Sequence, residues 1–287
     1  MEPIELIAMD MDGTLLVHDN VIPEENAAAL REAHQAGIHL ALCSGRIPDD
    51  MGFFARDMGL PMHILALNGT CLMDRPLGNF LRSDTIAPQT ARVILALLHT
   101  LPVAYILFSG HELVTSLPHI TDDELRIIVG KNIVRPGGRT VIRRGGEGEE
   151  AMADRGINKL MVFTENDNAP LQALKARLER DTPEVEVSSS WVNNLEINPA
   201  GCNKGTALSA LAARLGIPLG HVMALGDNDN DVPMLRAAGY GVAMGNATPA
   251  AVAAANWLAP SHEAFGVAAA VRCLALGQHV PGVRRLK

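Results

Sequence analysis

Short apolar runs alternate with amphipathic stretches through the first third of the chain. Leu6-Ile7-Ala8-Met9, Ile38-His39-Leu40-Ala41-Leu42-Cys43 and Met62 to Leu67 each stop abruptly, at Asp10-Met11-Asp12-Gly13-Thr14, Ser44-Gly45-Arg46 and Asn68-Gly69. Runs of that length fit buried parallel strands, whose two faces are both covered by helices. Between them, Pro23 to Ala36 carries apolar or alanine positions down one side and ends at Gly37, and Ile47 to Met58 forms a second helix ended by Gly59. The β-α-β-α-β order predicts an α/β fold with a doubly wound, Rossmann-like parallel sheet.

The pattern changes in the middle third. Helices are predicted at Pro88 to His99 and Ala169 to Arg180, and strands at Val103 to Phe108, Ile157 to Phe163 and Val185 to Ser188. Between them, Arg135-Pro136-Gly137-Gly138-Arg139-Thr140 and Gly145 to Glu150 have the composition of turns and loops. Alternation resumes at Asn203. A helix runs to Leu215, then come a strand ending at Leu225, a helix near Asp229 to Ala237, a strand at Tyr240 to Ala243, a helix from Thr248, and a closing helix over Phe265 to Leu276. The expected organisation is a core of residues 1–83 plus 192–287, with 84–191 inserted as an α+β cap domain.

Composition narrows the function. The chain has 287 residues, 48 % hydrophobic and 20 % charged, the balance of an ordinary globular protein. A formal net charge of -8 argues against nucleic acid as a partner. No apolar stretch is long enough for a membrane span. The acidic start, Met1-Glu2-Pro3-Ile4-Glu5-Leu6, does not read as a signal peptide. A cytoplasmic enzyme, monomeric or homodimeric, is expected. Cys43, Cys71, Cys202 and Cys273 form no C-x-x-C pair, so zinc and disulfides are not expected. Cys43 and Cys202 adjoin candidate site residues, but packing is the plainer role for both.

Candidate chemistry concentrates beyond the strand ends, where open α/β sheets bind their ligands. Asp10-Met11-Asp12-Gly13-Thr14 follows the first strand, and Gly226-Asp227-Asn228-Asp229-Asn230-Asp231 follows a later one. Two unit charges about 4 Å apart repel by roughly 4 kcal/mol at an effective dielectric near 20. Such a set needs protons or a cation, and a hard, oxygen-loving ion such as Mg²⁺ suits it. Asp10 is placed to attack phosphorus as a nucleophile, making an aspartyl-phosphate. Asp12, two residues on, is placed to protonate the leaving oxygen and later to activate water. The Ser44 hydroxyl and the backbone N–H groups around Gly45 can bind phosphate oxygens at a helix start. Arg46 either serves the site or is solvated. Lys204 opens a helix, where its charge opposes the dipole; a role in offsetting the phosphoryl and Asp10 charges competes with simple surface placement. An EF-hand would need glycine and glutamate where Val232 and Ala238 stand, so a calcium loop is not supported. Asp227 is the better Mg²⁺ ligand, with Asp231 orienting it from behind and Asn230 donating to phosphate.

These segments together resemble the haloacid dehalogenase (HAD) superfamily of phosphohydrolases, in its Cof-like branch. Asp10-Met11-Asp12-Gly13-Thr14, Ser44-Gly45-Arg46, Lys204-Gly205 and Gly226-Asp227 through Asn230-Asp231 match its four signatures in order. Leu67-Asn68-Gly69, Glu196-Ile197-Asn198-Pro199 and Gly241 to Ala247 are similar to the Cof-like proteins too. The resemblance implies a Mg²⁺-dependent phosphatase for small phosphorylated metabolites such as sugar phosphates, pyridoxal phosphate or FMN. It further implies Mg²⁺ on the Asp10 carboxylate, the Asp12 main-chain carbonyl and the Asp227 carboxylate, with Ser44, Lys204 and Asn230 holding the phosphoryl group. A phosphomutase of the same superfamily and a non-catalytic phosphate sensor are the alternatives. The cap stretch matches nothing in the resemblance. Its Arg135, Arg139, Arg143 and Arg144 are expected either to meet a second anionic group on the substrate or to form a solvated loop.

Overall fold

The computed structural model describes residues 2–165, 167–189 and 193–287. The chain opens with β1 (Leu6–Met9), α1 (Glu24–Gln35), β2 (His39–Cys43), α2 (Pro48–Asp57) and β3 (His63–Ala66), then β4 (Cys71–Met73) and β5 (Phe80–Ser83). The insertion carries α3 (Pro88–Leu98), β6 (Ala104–Ser109), β7 (Glu112–Thr115), α4 (Asp122–Ile128), β8 (Val141–Arg143), α5 (Glu149–Arg155), β9 (Lys159–Phe163), α6 (Ala169–Asp181), β10 (Val185–Ser188) and β11 (Asn194–Pro199). The return supplies α7 (Lys204–Leu215), β12 (Val222–Gly226), α8 (Val232–Ala237), β13 (Tyr240–Ala243), α9 (Pro249–Ala254), β14 (Trp257–Leu258), α10 (Gly266–Ala270) and β15 (Arg284–Arg285).

The first and last groups form one sheet in the order β15-β14-β13-β12-β1-β2-β3-β4-β5. From β14 to β3 its neighbours run parallel, as the apolar runs imply. Side chains alternate across a strand. Ile7 and Met9 therefore join the apolar layer of α1, α2 and α10, while Leu6 and Ala8 join that of α7, α8 and α9. Continuing that parity, Asp10 points toward the α7 side. The chain crosses in opposite directions on the two sides of β1, so the topological switch lies between β1 and β12. Register puts Met9 beside both Leu225 and Leu42. The acidic segments after β1 and β12 and the Ser-Gly-Arg segment after β2 thus emerge side by side.

The insertion builds a second, mixed sheet, β10-β11-β9-β6-β7-β8. One face, with Tyr105, Leu107 and Leu160, packs under α3, α5 and α6. The other, with Ile106, Phe108 and Met161, joins the core layer that contains Met51 and Phe54 of α2.

Several elements depart from expectation. The core sheet continues past β3 through the short antiparallel β4 and β5. The glycine-rich stretch is not loop throughout, because Val141–Arg143 pairs in parallel with β7 and α5 begins at Glu149. The expected boundary at 191 and 192 lies outside the described residues, and β11, beyond it, still belongs to the second sheet. Residues 229–231 form a 3₁₀ turn before α8, with Asn228 capping it and Pro233 near the helix start. The closing helix is α only over Gly266–Ala270 and continues as a π turn over Val271–Ala275.

Candidate active site

The strand tips converge on a cavity of about 390 Å³ between the two sheets. Its core wall includes Asp10, Asp12, Ser44, Gly45, Asn228 and Asn230. Lys204 lies behind Asp10. Asn203 caps α7, its side chain accepting from the backbone N–H of Gly205 and Thr206 at 3.0 Å each. The next residue, Lys204, is only 1 % exposed and turns inward: its Nζ lies 2.6 Å from Asp10 Oδ1 and 2.6 Å from Asp231 Oδ1. Asp231, fully buried, also accepts from the backbone N–H of Asp227 at 2.9 Å and of Asn228 at 3.0 Å. It therefore fixes both the lysine and the loop that carries Asp227.

Asp227 is locked from the opposite side. Thr14 Oγ1 donates to its Oδ1 at 3.0 Å, and a Cβ on Gly13 would fall 2.3 Å from its Oδ2. With φ at +79° as well, position 13 requires glycine. One carboxylate oxygen from each of Asp10, Asp227 and Asp231 lies within 4.8 Å of the others.

The electrostatics follow from burial and crowding. Burial pushes the Asp10 carboxyl well above the ordinary range; Lys204 pulls it back, while Asp231, Asp227 and Asp12 add to the rise. Burial and Asp231 push Asp227 up to about 6. Burial alone would lower the Lys204 ammonium, but Asp10 and Asp231 hold it above its usual value, so it is charged. Carboxylates raised in this way are short of positive charge. Three crowded oxygen donors fit a hard divalent cation. Asp231 is already engaged by Lys204 and two N–H groups, which leaves Asp10 and Asp227 as the freer donors.

Arg46, left open by the sequence, belongs to the site. Its Nε and Nη2 grip both Asp12 oxygens, at 2.7 and 2.6 Å, and its Nη1 reaches Asp50 Oδ2 at 2.7 Å. A bidentate pair fixes direction as well as charge. The pairing of β1 with β2 could have indicated this, since it sets Met9 beside Leu42 and carries Asp12 and Arg46 out on neighbouring strand tips.

The cap wall contains Ile127, Ile128, Val129, Lys131, Lys159 and Met161. The four cap arginines are elsewhere. Arg135 pairs bidentately with Asp57 at 2.6 and 2.9 Å, Arg143 with Glu112 at 2.7 Å, Arg144 with Asp122, and Arg139 with the Gly78 carbonyl. The cavity-lining cations include Lys131 and Lys159, which composition did not single out. Lys159 is buried, 2.8 Å from Glu196 Oε1 and 3.2 Å from the Gly45 carbonyl. A lone lysine inside the apolar run Ile157 to Phe163 was the available signal. Burial pushes the Cys43 thiol up and that of Cys202 up to about 11, which suits packing residues.

Residues 7–271 match the haloacid dehalogenase-like hydrolases. The chain belongs to that family. Among its relatives is the 5-amino-6-(5-phospho-D-ribitylamino)uracil phosphatase YcsE of Bacillus subtilis, 30 % identical over 94 % of this chain and 95 % of that protein. The HMP-PP phosphatase of Cronobacter sakazakii is also 30 % identical, over 84 % of each chain. A solved haloacid dehalogenase-like hydrolase from Bacillus subtilis superposes with a TM-score of 0.81 at 29 % identity, covering 94 % of this chain and all (100 %) of the other. This haloacid dehalogenase-like hydrolase is a phosphatase, with the α/β core and inserted cap of its family. Among the described residues no helix is long and apolar enough to cross a membrane.

Proposed function

We propose that this phosphatase releases phosphate from small phosphorylated metabolites through an aspartyl-phosphate on Asp10, with Mg²⁺ as cofactor. The observation that carries the reading is the buried lysine bridge, Lys204 Nζ at 2.6 Å from both Asp10 and Asp231, beside Asp227 and open to the cavity through Asp10. The Asp10 and Asp227 carboxylates and the Asp12 main-chain carbonyl would hold Mg²⁺. Bound there, the ion offsets the crowded negative charge and polarises phosphoryl oxygens.

The residues then divide the work. Ser44, the Gly45 backbone and Asn230 hold the phosphoryl oxygens, and Lys204 keeps the Asp10 carboxylate aimed and adds positive charge. Asp10 attacks phosphorus, a P–O bond forms to its carboxylate, and the bond to the leaving oxygen breaks. Asp12 gives that oxygen its proton. Asp12 then takes a proton from water, whose oxygen bonds to phosphorus as the aspartyl bond breaks and inorganic phosphate leaves. Arg46 directs Asp12 by holding one carboxyl oxygen while the other carries the proton, and Asp231 holds Lys204 and the Asp227 loop. The cavity admits a compact leaving group against Ile127, Val129 and Met161, and the named relatives act on compounds of that small size. Phosphate release from p-nitrophenyl phosphate with Mg²⁺ is the test. Asp10→Asn, which keeps shape and removes the nucleophile, is expected to lower it by roughly 10⁴-fold or more; turnover near the parent rate would overturn the assignment.

A further inference from the structure

α2 begins just after the Ser44-Gly45-Arg46 loop with Asp49 and Asp50, both fully buried. Carboxylates at a helix start are favoured by the dipole, but buried ones need partners. Both find partners in the cap. Asp49 Oδ2 accepts from the Thr140 hydroxyl at 3.0 Å and from the Arg139 backbone N–H, with His111 Nδ1 3.0 Å from its Oδ1. Asp50 divides its oxygens between the two domains: Oδ1 accepts from the backbone N–H of Asn132 at 2.8 Å, and Oδ2 from Arg46 Nη1 at 2.7 Å. The cap backbone is moulded to it. Gly130 has φ at +147°, and a Cβ there would fall 2.6 Å from Asp50 Cγ. Arg46 divides its remaining donors between Asn20 Oδ1 and both oxygens of Asp12, whose own side chain is 58 % exposed and thus takes its direction from the arginine.

We propose that Asp50 is a positioning residue through which the seating of the cap sets the direction of the Asp12 carboxylate. The path is contiguous: cap backbone at Gly130 and Asn132, Asp50, Arg46, Asp12. Each link is a hydrogen bond or a close packing contact. The consequence is specific, because a cap seated away from α2 removes one of the partners holding Asp50, then loosens Arg46 and misaims the acid. The inference rests on the reading of Asp12 as the group that protonates the leaving oxygen.

Two aryl esters of similar size separate this role from a merely structural one. p-Nitrophenolate leaves readily without a proton, whereas the leaving oxygen of phenyl phosphate depends on one. Asp50→Asn, and independently Gly130→Ala in the cap, are expected to lower kcat/KM for phenyl phosphate by about tenfold more than for p-nitrophenyl phosphate. Equal losses on the two esters in the folded variants would overturn the proposal, as would an unchanged rate on both. Gly130→Ala is the sharper variant, since it leaves every core side chain intact, and it carries the test alone should Asp50→Asn fail to fold. A parent protein that releases no phosphate from either ester with Mg²⁺ would overturn the proposed function on which the reading of Asp12 rests, a failure distinct from equal losses.

Discussion

Core and cap face each other across one cavity, yet they handle charge in opposite ways. On the core side Asp10, Lys204 and Asp231 are buried and paired in one fixed arrangement, each delivered by a strand tip or a capped helix start. On the cap side the conspicuous charges, Arg135, Arg143 and Arg144, are half-exposed and matched by carboxylates away from the cavity, Asp57 of α2 for Arg135 and cap residues for the other two. Apart from Arg126, Lys131 and the buried Lys159–Glu196 pair, what the cap presents to the cavity is apolar, with Ile127 80 % exposed. Charge held at a strand end is directed by register and cannot drift. Charge on a surface loop in an acidic protein finds the nearest carboxylate.

The contrast can be broken from the core side first. Lys204→Ala removes one partner of a fully buried set, leaving Asp10 and Asp231 facing each other. It is expected to destabilise the fold by about 3–5 kcal/mol and to lower kcat by roughly 10²–10³-fold, read by denaturant unfolding and phosphate release. A loss confined to stability would separate Lys204 from the chemistry.

A smaller effect is expected at the apolar cap wall. Ile127→Ala is expected to change the ratio of kcat/KM between a bulky substrate such as FMN and p-nitrophenyl phosphate by about tenfold, the scale of altered apolar contact in a pocket. An unchanged ratio would mean that the leaving group does not reach α4. The smallest effect belongs to the arginines. With Arg135, Arg139, Arg143 and Arg144 all replaced by alanine, preference between mono- and bisphosphorylated sugars is expected to stay within about twofold, because solvated ion pairs, and the Arg139 bond to the Gly78 carbonyl, lie away from the cavity and contribute little. A selective loss toward the bisphosphate would restore them as a substrate subsite.

The same contrast explains what the sequence made legible. The core declared itself because β1, β2 and β12 are apolar runs that end abruptly in polar residues, and parallel pairing brings those endings together. The residues at Asp10 and Asp227 needed only that register to meet, and Lys204 needed the capped start of α7 to pack against them. The cap did not declare itself in this way. β7 and β8 are short, and β8 is half-exposed beside glycines that signal turns. β4, three residues just after Asn68-Gly69-Thr70, is too brief for periodicity to register. Long-range pairs were also out of reach. Nothing local links Asp50 to Asn132, which depends on how the cap sits on α2, or Lys159 to Glu196, which depends on β9 pairing with β11.

The covalent step is the claim on which the account depends most, and Asp12→Asn gives access to it. That variant is expected to slow release of the phosphoryl group from the enzyme, so acid quenching of a reaction with p-nitrophenyl phosphate and Mg²⁺ should trap phosphate. Peptide mass spectrometry should then find one added phosphoryl group on Asp10. A label on any other residue, or steady turnover by Asp12→Asn with Asp10 never labelled, would contradict the account.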